Sequence, residues 1–224
     1  MALTTYSELK TSIASWLHRT DLTSVIPDFV TLAEKAFGTG PEAIKSPRMM
    51  TRLAITVDAE YEAVPSDMVG IVSLTLTTNT DIYPLDNVTP ESLAFLRATT
   101  DIQAAFPRSF AMVGDDFRYS PVPDQAYTGE LAYYAAIPAL SDSNASNWVL
   151  ANYPNVYLYG SLLQAAPYLV DDERVGLWQQ LYQTALAGLI ASERRRQGVM
   201  FTPQFTANDI IPTRRGYFNI TTGL

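Results

Sequence analysis

The sequence predicts an α+β protein in which N- and C-terminal helices form a bundle, a central antiparallel β-rich insertion interrupts it, and an extended C-terminal arm follows. Near both ends apolar residues recur at helical spacing, whereas the middle carries short β-branched runs separated by Asp, Asn, Pro or Gly. No βαβ alternation occurs, so helices from the two ends have to bury their apolar stripes against each other. The expected divisions are 1–40 and 148–198 for the bundle, 41–147 for the insertion and 199–224 for the arm.

The first helix follows Thr4 or Thr5, either of which can cap it, and carries Tyr6, Leu9, Ile13, Trp16 and Leu17 on one face. A second runs from about Ser24 to the Gly38-Thr39-Gly40 break with Val25, Ile26, Phe29, Val30, Leu32, Ala33, Ala36 and Phe37 in its pattern; Pro27 is tolerable there only in the first turn. Strands are expected at 53–57, 61–64, 71–77 and 82–85. Thr89 and Pro90 then supply the cap and first residue of a short helix over about 89–98. Residues 110–113 and 117–120 make a hairpin around Gly114-Asp115-Asp116. The last strand, 129–136, has Leu131 and Tyr133 on one face and Ala132 and Tyr134 on the other, and 137–144 connect it to the helices beyond.

The stretch 148–197 is the most strongly specified part of the chain and reads as two helices joined by an acidic corner. Val156, Tyr159, Leu162, Leu163, Ala166 and Leu169 form the first stripe; Val175, Trp178, Leu181, Tyr182, Ala185 and Leu189 form the second. Asp171, Asp172 and Glu173 sit where a helix start favours carboxylates. Arg194, Arg195 and Arg196 fall in the last turn, where cations are favoured, and Gly198 supplies the stop.

At 224 residues, 47% hydrophobic and 17% charged, the chain can bury a sizeable core. It has no cysteine, so a disulfide framework and a thiolate metal site are both excluded. The opening MALTTYSELKTSIASWLH lacks a basic region followed by an apolar run, and no segment reaches about 18 uninterrupted apolar residues, so neither a secretion signal nor a membrane span is expected. Of the net charge of −8, residues 193–224 contribute +3, from five arginines against Glu193 and Asp209, which leaves −11 upstream. An acidic body argues against wrapping nucleic acid, where lysine and arginine must neutralise phosphates. It is compatible with a wall beside which DNA slides.

Candidate chemistry is sparse. His18, the only histidine, stands next to Arg19 at the end of the first helix and has no evident partner for acid–base work. There is no G-x-S-x-G elbow, no Walker loop and no G-x-G-x-x-G. Asp115-Asp116 and Asp171-Asp172-Glu173 could be catalytic carboxylate pairs, yet a hairpin turn and a helix start are ordinary places for acids. Asp142-Ser143-Asn144-Ala145-Ser146 opens like a calcium loop but has Asn147 in place of the glycine and Tyr153 in place of the closing glutamate. No catalytic, cofactor or metal site is therefore expected. The aromatic series Tyr157, Tyr159, Tyr168, Trp178 and Tyr182 reads as core or subunit-interface packing rather than a sugar platform. The arm keeps Phe201, Phe205, Ile210, Ile211, Tyr217 and Phe218 together with Arg214 and Arg215, without sustained period and punctuated by Pro203 and Pro212. It is too apolar for a solvated tail and is expected to order against a partner.

Residues 133–182, YYAAIPALSDSNASNWVLANYPNVYLYGSLLQAAPYLVDDERVGLWQQLY, closely resemble the head-to-tail adaptor, or connector, proteins of tailed bacteriophages. Tyr133-Tyr134, Ile137-Pro138-Ala139-Leu140-Ser141-Asp142, Asn147-Trp148, Tyr157-Leu158-Tyr159-Gly160, Asp171-Asp172-Glu173-Arg174 and Trp178 carry the likeness. The early Ala14-Ser15-Trp16-Leu17-His18-Arg19-Thr20-Asp21-Leu22, followed by Ile26-Pro27, looks like that family's opening. The resemblance implies a non-enzymatic structural virion protein: a ring, commonly of twelve copies, beneath the portal, extending the DNA channel and offering a platform to a tail or nozzle protein. It also implies that Arg194, Arg195, Arg196 and the apolar and basic residues of the arm meet the portal. The competing classes are a virion-associated carbohydrate-binding or lytic module and a monomeric assembly chaperone.

Overall fold

A computed structural model of the chain describes residues 3–19, 21–39, 43–78, 81–99, 103–169 and 173–196. Within them the fold is mixed α+β, with six α-helices and two sheets.

The helices α1 (Tyr6–Leu17), α2 (Ile26–Thr39), α4 (Trp148–Asn152), α5 (Pro154–Leu169) and α6 (Val175–Arg196) surround one apolar core, with α5 packed against the other four. Thr5 caps α1 in a capping box: its hydroxyl accepts from the Glu8 N–H at 3.3 Å, and the Glu8 carboxylate accepts from the Thr5 N–H at 3.0 Å. Such a cap contributes on the order of 1 kcal/mol. His18 closes α1 in the left-handed region, φ 52°, and its N–H donates to the Ser15 carbonyl at 3.2 Å.

The second half departs from two simple helices in one respect. Asn147 caps a separate short helix by accepting from the Leu150 N–H at 2.9 Å, and the chain breaks at Tyr153 before α5 starts. Pro154 explains the restart, because a proline has no N–H to continue a helix but fits the first position of a new one. The buried side of α5 is also wider than one stripe, taking in Tyr157, Leu158, Gly160, Ser161 and Ala165 beside Val156 and Leu162. At Gly160 the Tyr182 side chain of α6 comes close, since a Cβ there would lie 3.1 Å from its ring.

Eight strands lie between α2 and α4: β1 (Met50–Val57), β2 (Tyr61–Ala63), β3 (Met68–Thr78), β4 (Asp81–Pro84), β5 (Asp86–Asn87), β6 (Ser109–Val113), β7 (Asp116–Ser120) and β8 (Tyr127–Ala135). One sheet has the order β1-β8-β3-β4 and the other β2-β7-β6-β5; all pairings are antiparallel except β5 with β6. In the first sheet Leu53, Leu131 and Leu74 stand in register across three strands. A second core fills the space between the sheets with Val57, Leu74, Leu76, Phe110, Phe117, Tyr119 and Leu131. Helix α3 (Pro90–Thr99) lies over β6 and β7, and Glu60 ties it there by pairing with both Arg97 and Arg118. Strand β8 joins the two cores, because Tyr133 points into the inter-sheet core and Tyr134 packs against the helical one. The helical core also takes in Ile44, Met49 and Leu140 from beyond the helices.

Candidate assembly site

The end of α6 is fastened to the chain just before β1. Glu193 is fully buried; its Oε2 accepts from the Ser46 hydroxyl at 2.5 Å and its Oε1 from the Tyr153 hydroxyl at 3.0 Å. The Nε of Arg48 lies 3.5 Å away and that of Arg196 3.6 Å away. A buried carboxylate is tolerable only when hydrogen-bonded and paired, and here both conditions are met. Nothing in the sequence distinguishes Glu193 from a solvated helix-end charge, so this anchor was not legible there.

Of the three arginines beside it, Arg196 is partly engaged with Glu193 and Arg195 donates to the Ala191 carbonyl at 3.3 Å. Arg194 has no ion-pair partner among the described residues. It joins Lys45 on the wall of a cavity of about 560 Å³ floored by Gly38, Ile44, Met49 and Ile71, at the seam of helices and sheet. Phe201, Phe205, Ile210, Ile211, Arg214, Arg215, Tyr217 and Phe218 lie outside the described residues, as do Asp171, Asp172 and Gly198.

The predicted packing aromatics separate by depth. Tyr157 is fully buried, edge-on to Phe37 with centroids 5.1 Å apart. Its hydroxyl accepts from Asn147 at 2.6 Å and donates to Glu34 at 3.0 Å. Trp178 is 1% exposed, with the Arg174 guanidinium 4.9 Å from its ring. Tyr159, edge-on to Trp16, and Tyr182, against Gly160, are half-buried, whereas Tyr168 is 55% exposed. Burial removes Tyr157 and Trp178 from any sugar-stacking platform.

Perturbed carboxylates serve structure in this arrangement. Burial raises Glu34 above its ordinary value, opposed by hydrogen bonds from the Leu140 N–H at 2.8 Å and Tyr157. Hydrogen bonding to Arg97 and Arg118 holds Glu60 below its ordinary value. The Asp115 carbonyl accepts from the Val64 N–H at 2.9 Å in the β6–β7 turn, and Asp142 of the calcium-like loop pairs with Lys10 at 2.9 Å. Among the described residues no group of three or more His, Cys, Asp or Glu side chains is placed to hold a metal ion, and no helix is long and apolar enough to cross a membrane.

The feature that sequence reading missed is the apolar exterior of the sheets. Ile82 and Phe95 are each 67% exposed, and Val69, Val72, Met112 and Val113 are exposed as well. In α3 Leu93 is buried while Phe95 is exposed, and in β4 Ile82 is exposed, a division that pattern alone cannot make. An exterior of this kind, on a fold with a closed helical core, defines a structural subunit made to be packed against other proteins. The family described as SU10 adaptor protein matches residues 4–204, and the chain belongs to that family. It is accordingly a structural adaptor protein of a phage, a component of the virion, as residues 133–182 had suggested. No curated protein matches the chain.

Proposed function

We infer that the chain is a head-to-tail adaptor that closes into a ring, commonly of twelve copies in the proteins it resembles, beneath the portal. Its helices form the bundle that walls an extended DNA channel, and its β-rich insertion and extended arm supply contacts. A tail or nozzle protein is seated on the ring, and genomic DNA passes through without sequence-specific binding.

The observation that carries this reading is the uneven exposure of large apolar side chains, concentrated on the sheets at Val69, Val72 and Ile82 of the first and at Met112 and Val113 of the second. A cyclic ring needs two different adhesive faces on each subunit, and separate apolar patches on two sheets meet that need. Arg194, Arg195 and Arg196, exposed at the end of α6, lead toward the portal with the residues beyond them.

Removing residues 199–224 tests the portal contact. The expected result is a folded chain that no longer co-assembles with the portal; undiminished co-assembly would retire the arm from that role. Changing Arg194, Arg195 and Arg196 to glutamate is expected to weaken docking in a salt-dependent way, and binding unchanged across a salt series would contradict it.

A further inference from the structure

An exposed sheet edge carries a row of unpaired N–H and C=O groups that can template another strand. Four strands are edges: β1 and β4 in the first sheet, β2 and β5 in the second. Three of these are short. Strand β2 has three residues and β5 two, while β4 has four and is bounded by Asp81 and Pro84.

Strand β1 is different. It runs for eight residues, MTRLAITV, without glycine or proline. It pairs with β8 along its whole length and has no backbone partner on its other side among the described residues. Its single charge, Arg52, reaches inward to Glu130 on β8 at 3.7 Å and leaves the outer edge unguarded. Leu53 shares the face of Ile55 and Val57 that looks toward the second sheet, yet it is 41% exposed.

The occupant follows from what the molecule has to offer. No other edge strand of a second copy matches β1 in length, and β1 paired with β1 of a second copy would be an isologous contact closing at two subunits. The remaining polypeptide is residues 197–224, and its starting point is fixed beside β1. Glu193, in the last turn of α6, is bonded to Ser46 and pairs with Arg48, just ahead of Met50.

The sequence just past Gly198 has the required form. As a strand, Val199, Phe201, Pro203 and Phe205 would share one face, and Met200, Thr202, Gln204 and Thr206 the other. Proline is admissible in an edge strand only where its missing N–H points away from the partner. Pro203 so placed turns the N–H groups of Met200, Thr202, Gln204 and Thr206 toward β1. The Ala136 N–H donates to the Asp67 carbonyl on the β3 side, so Leu131 and alternate residues of β8 turn to β1, and Leu53 opposite Leu131 turns its backbone to β8. In a parallel pair Met200 then joins the face of Leu53, while Val199, Phe201 and Phe205 lie beside the exposed Met50 and Ala54 on the other.

We propose that residues 199–206 add to the open edge of β1 of their own chain, running parallel to it from the Met50 end as a fifth strand of the first sheet. Residues 207–224 then depart from the far end of β1, about 25 Å along the sheet at the usual strand rise. This pairing holds whatever those last residues dock onto.

Amide hydrogen exchange on the purified full-length chain, compared with chains ending at Thr206 and at Arg196, tests it. The edge-facing amides of β1 should exchange at least tenfold more slowly in the first two than in the third, independent of protein concentration. Protection of the β8-bonded amides and of the helical core should stay the same in all three, which separates loss of pairing from loss of fold. Gln204→Pro, which aims a second proline at β1, should abolish the difference, and Gln204→Ala should keep it. Equal exchange of β1 in all three chains would overturn the proposal. So would protection appearing only at concentrations where the chain oligomerises, because that places the segment on a neighbouring copy. The chain ending at Thr206 keeps its β1 protection whether or not it joins a portal, so failure of the docking reading would not be mistaken for failure of this one.

Discussion

The helical region and the sheet region bury their apolar residues to different degrees. Around α5, the exposed large apolar side chains among the described residues are Trp16, Leu32, Tyr168 and Leu177, and the core beneath them is closed. The sheets enclose a smaller core and leave Val72, Ile82 and Met112 exposed. Burying such side chains is worth roughly 25 cal/mol per Å² of apolar surface removed from water, so the sheets retain stabilisation that only a partner can release. The helices close their core on folding; the sheets leave apolar surface in water.

Substitutions should therefore act on different quantities in the two regions. The largest loss of stability is expected from Trp178→Ala, which empties a fully enclosed site and should cost about 3–5 kcal/mol in urea denaturation. Gly129→Ala comes next. A Cβ at Gly129 would stand 2.5 Å from the Thr75 carbonyl oxygen, a backbone atom that cannot swing aside, and overpacking of this kind costs about 1–3 kcal/mol.

Glu34→Gln should show a smaller effect whose size depends on pH. The raised value of Glu34 means that its contribution is fully present below the unfolded value, near 4.5, and is lost as pH rises through the higher folded value. Glutamine keeps an acceptor for Tyr157 and Leu140 without the charge. The variant should thus gain on the parent between about pH 4 and neutrality in thermal melts, and a difference that does not change with pH would contradict this. Glu60 has the opposite sign: its depressed value contributes stability above about 4.5 that fades on acidification, so the deficit of Glu60→Gln should shrink as pH falls. The smallest change in stability, within about 0.5 kcal/mol each, is expected from Ile82→Ser and Phe95→Ser. These same substitutions should be the most damaging to assembly.

The helical stripes were legible because burial and period coincide. Leu9, Ile13, Val156, Trp178 and Leu189 all appear in the spacing pattern and are all buried. The β6–β7 hairpin was legible because Gly114 takes φ 66° at its turn. Glu34 and Glu193 were not, because a carboxylate at a helical position reads as solvent-facing unless its partners, here Tyr157 and Ser46, are known from long-range contacts. The two residues of β5 are too short to leave a period. The candidate site was the least visible part: Ile82 and Val72 look like ordinary core residues in a string of letters, and only the fold shows how exposed they are.

The mass of the purified chain by light scattering, alone and mixed with portal, compared with that of an Ile82→Ser, Phe95→Ser double variant, addresses the apolar sheet exterior most directly. The parent should form a complex many subunits in mass, and the variant, unchanged in its melting transition, should remain near the 24.7 kDa of one chain. A variant that assembles as completely as the parent, or a parent that stays at the mass of one chain with portal present, would contradict the account.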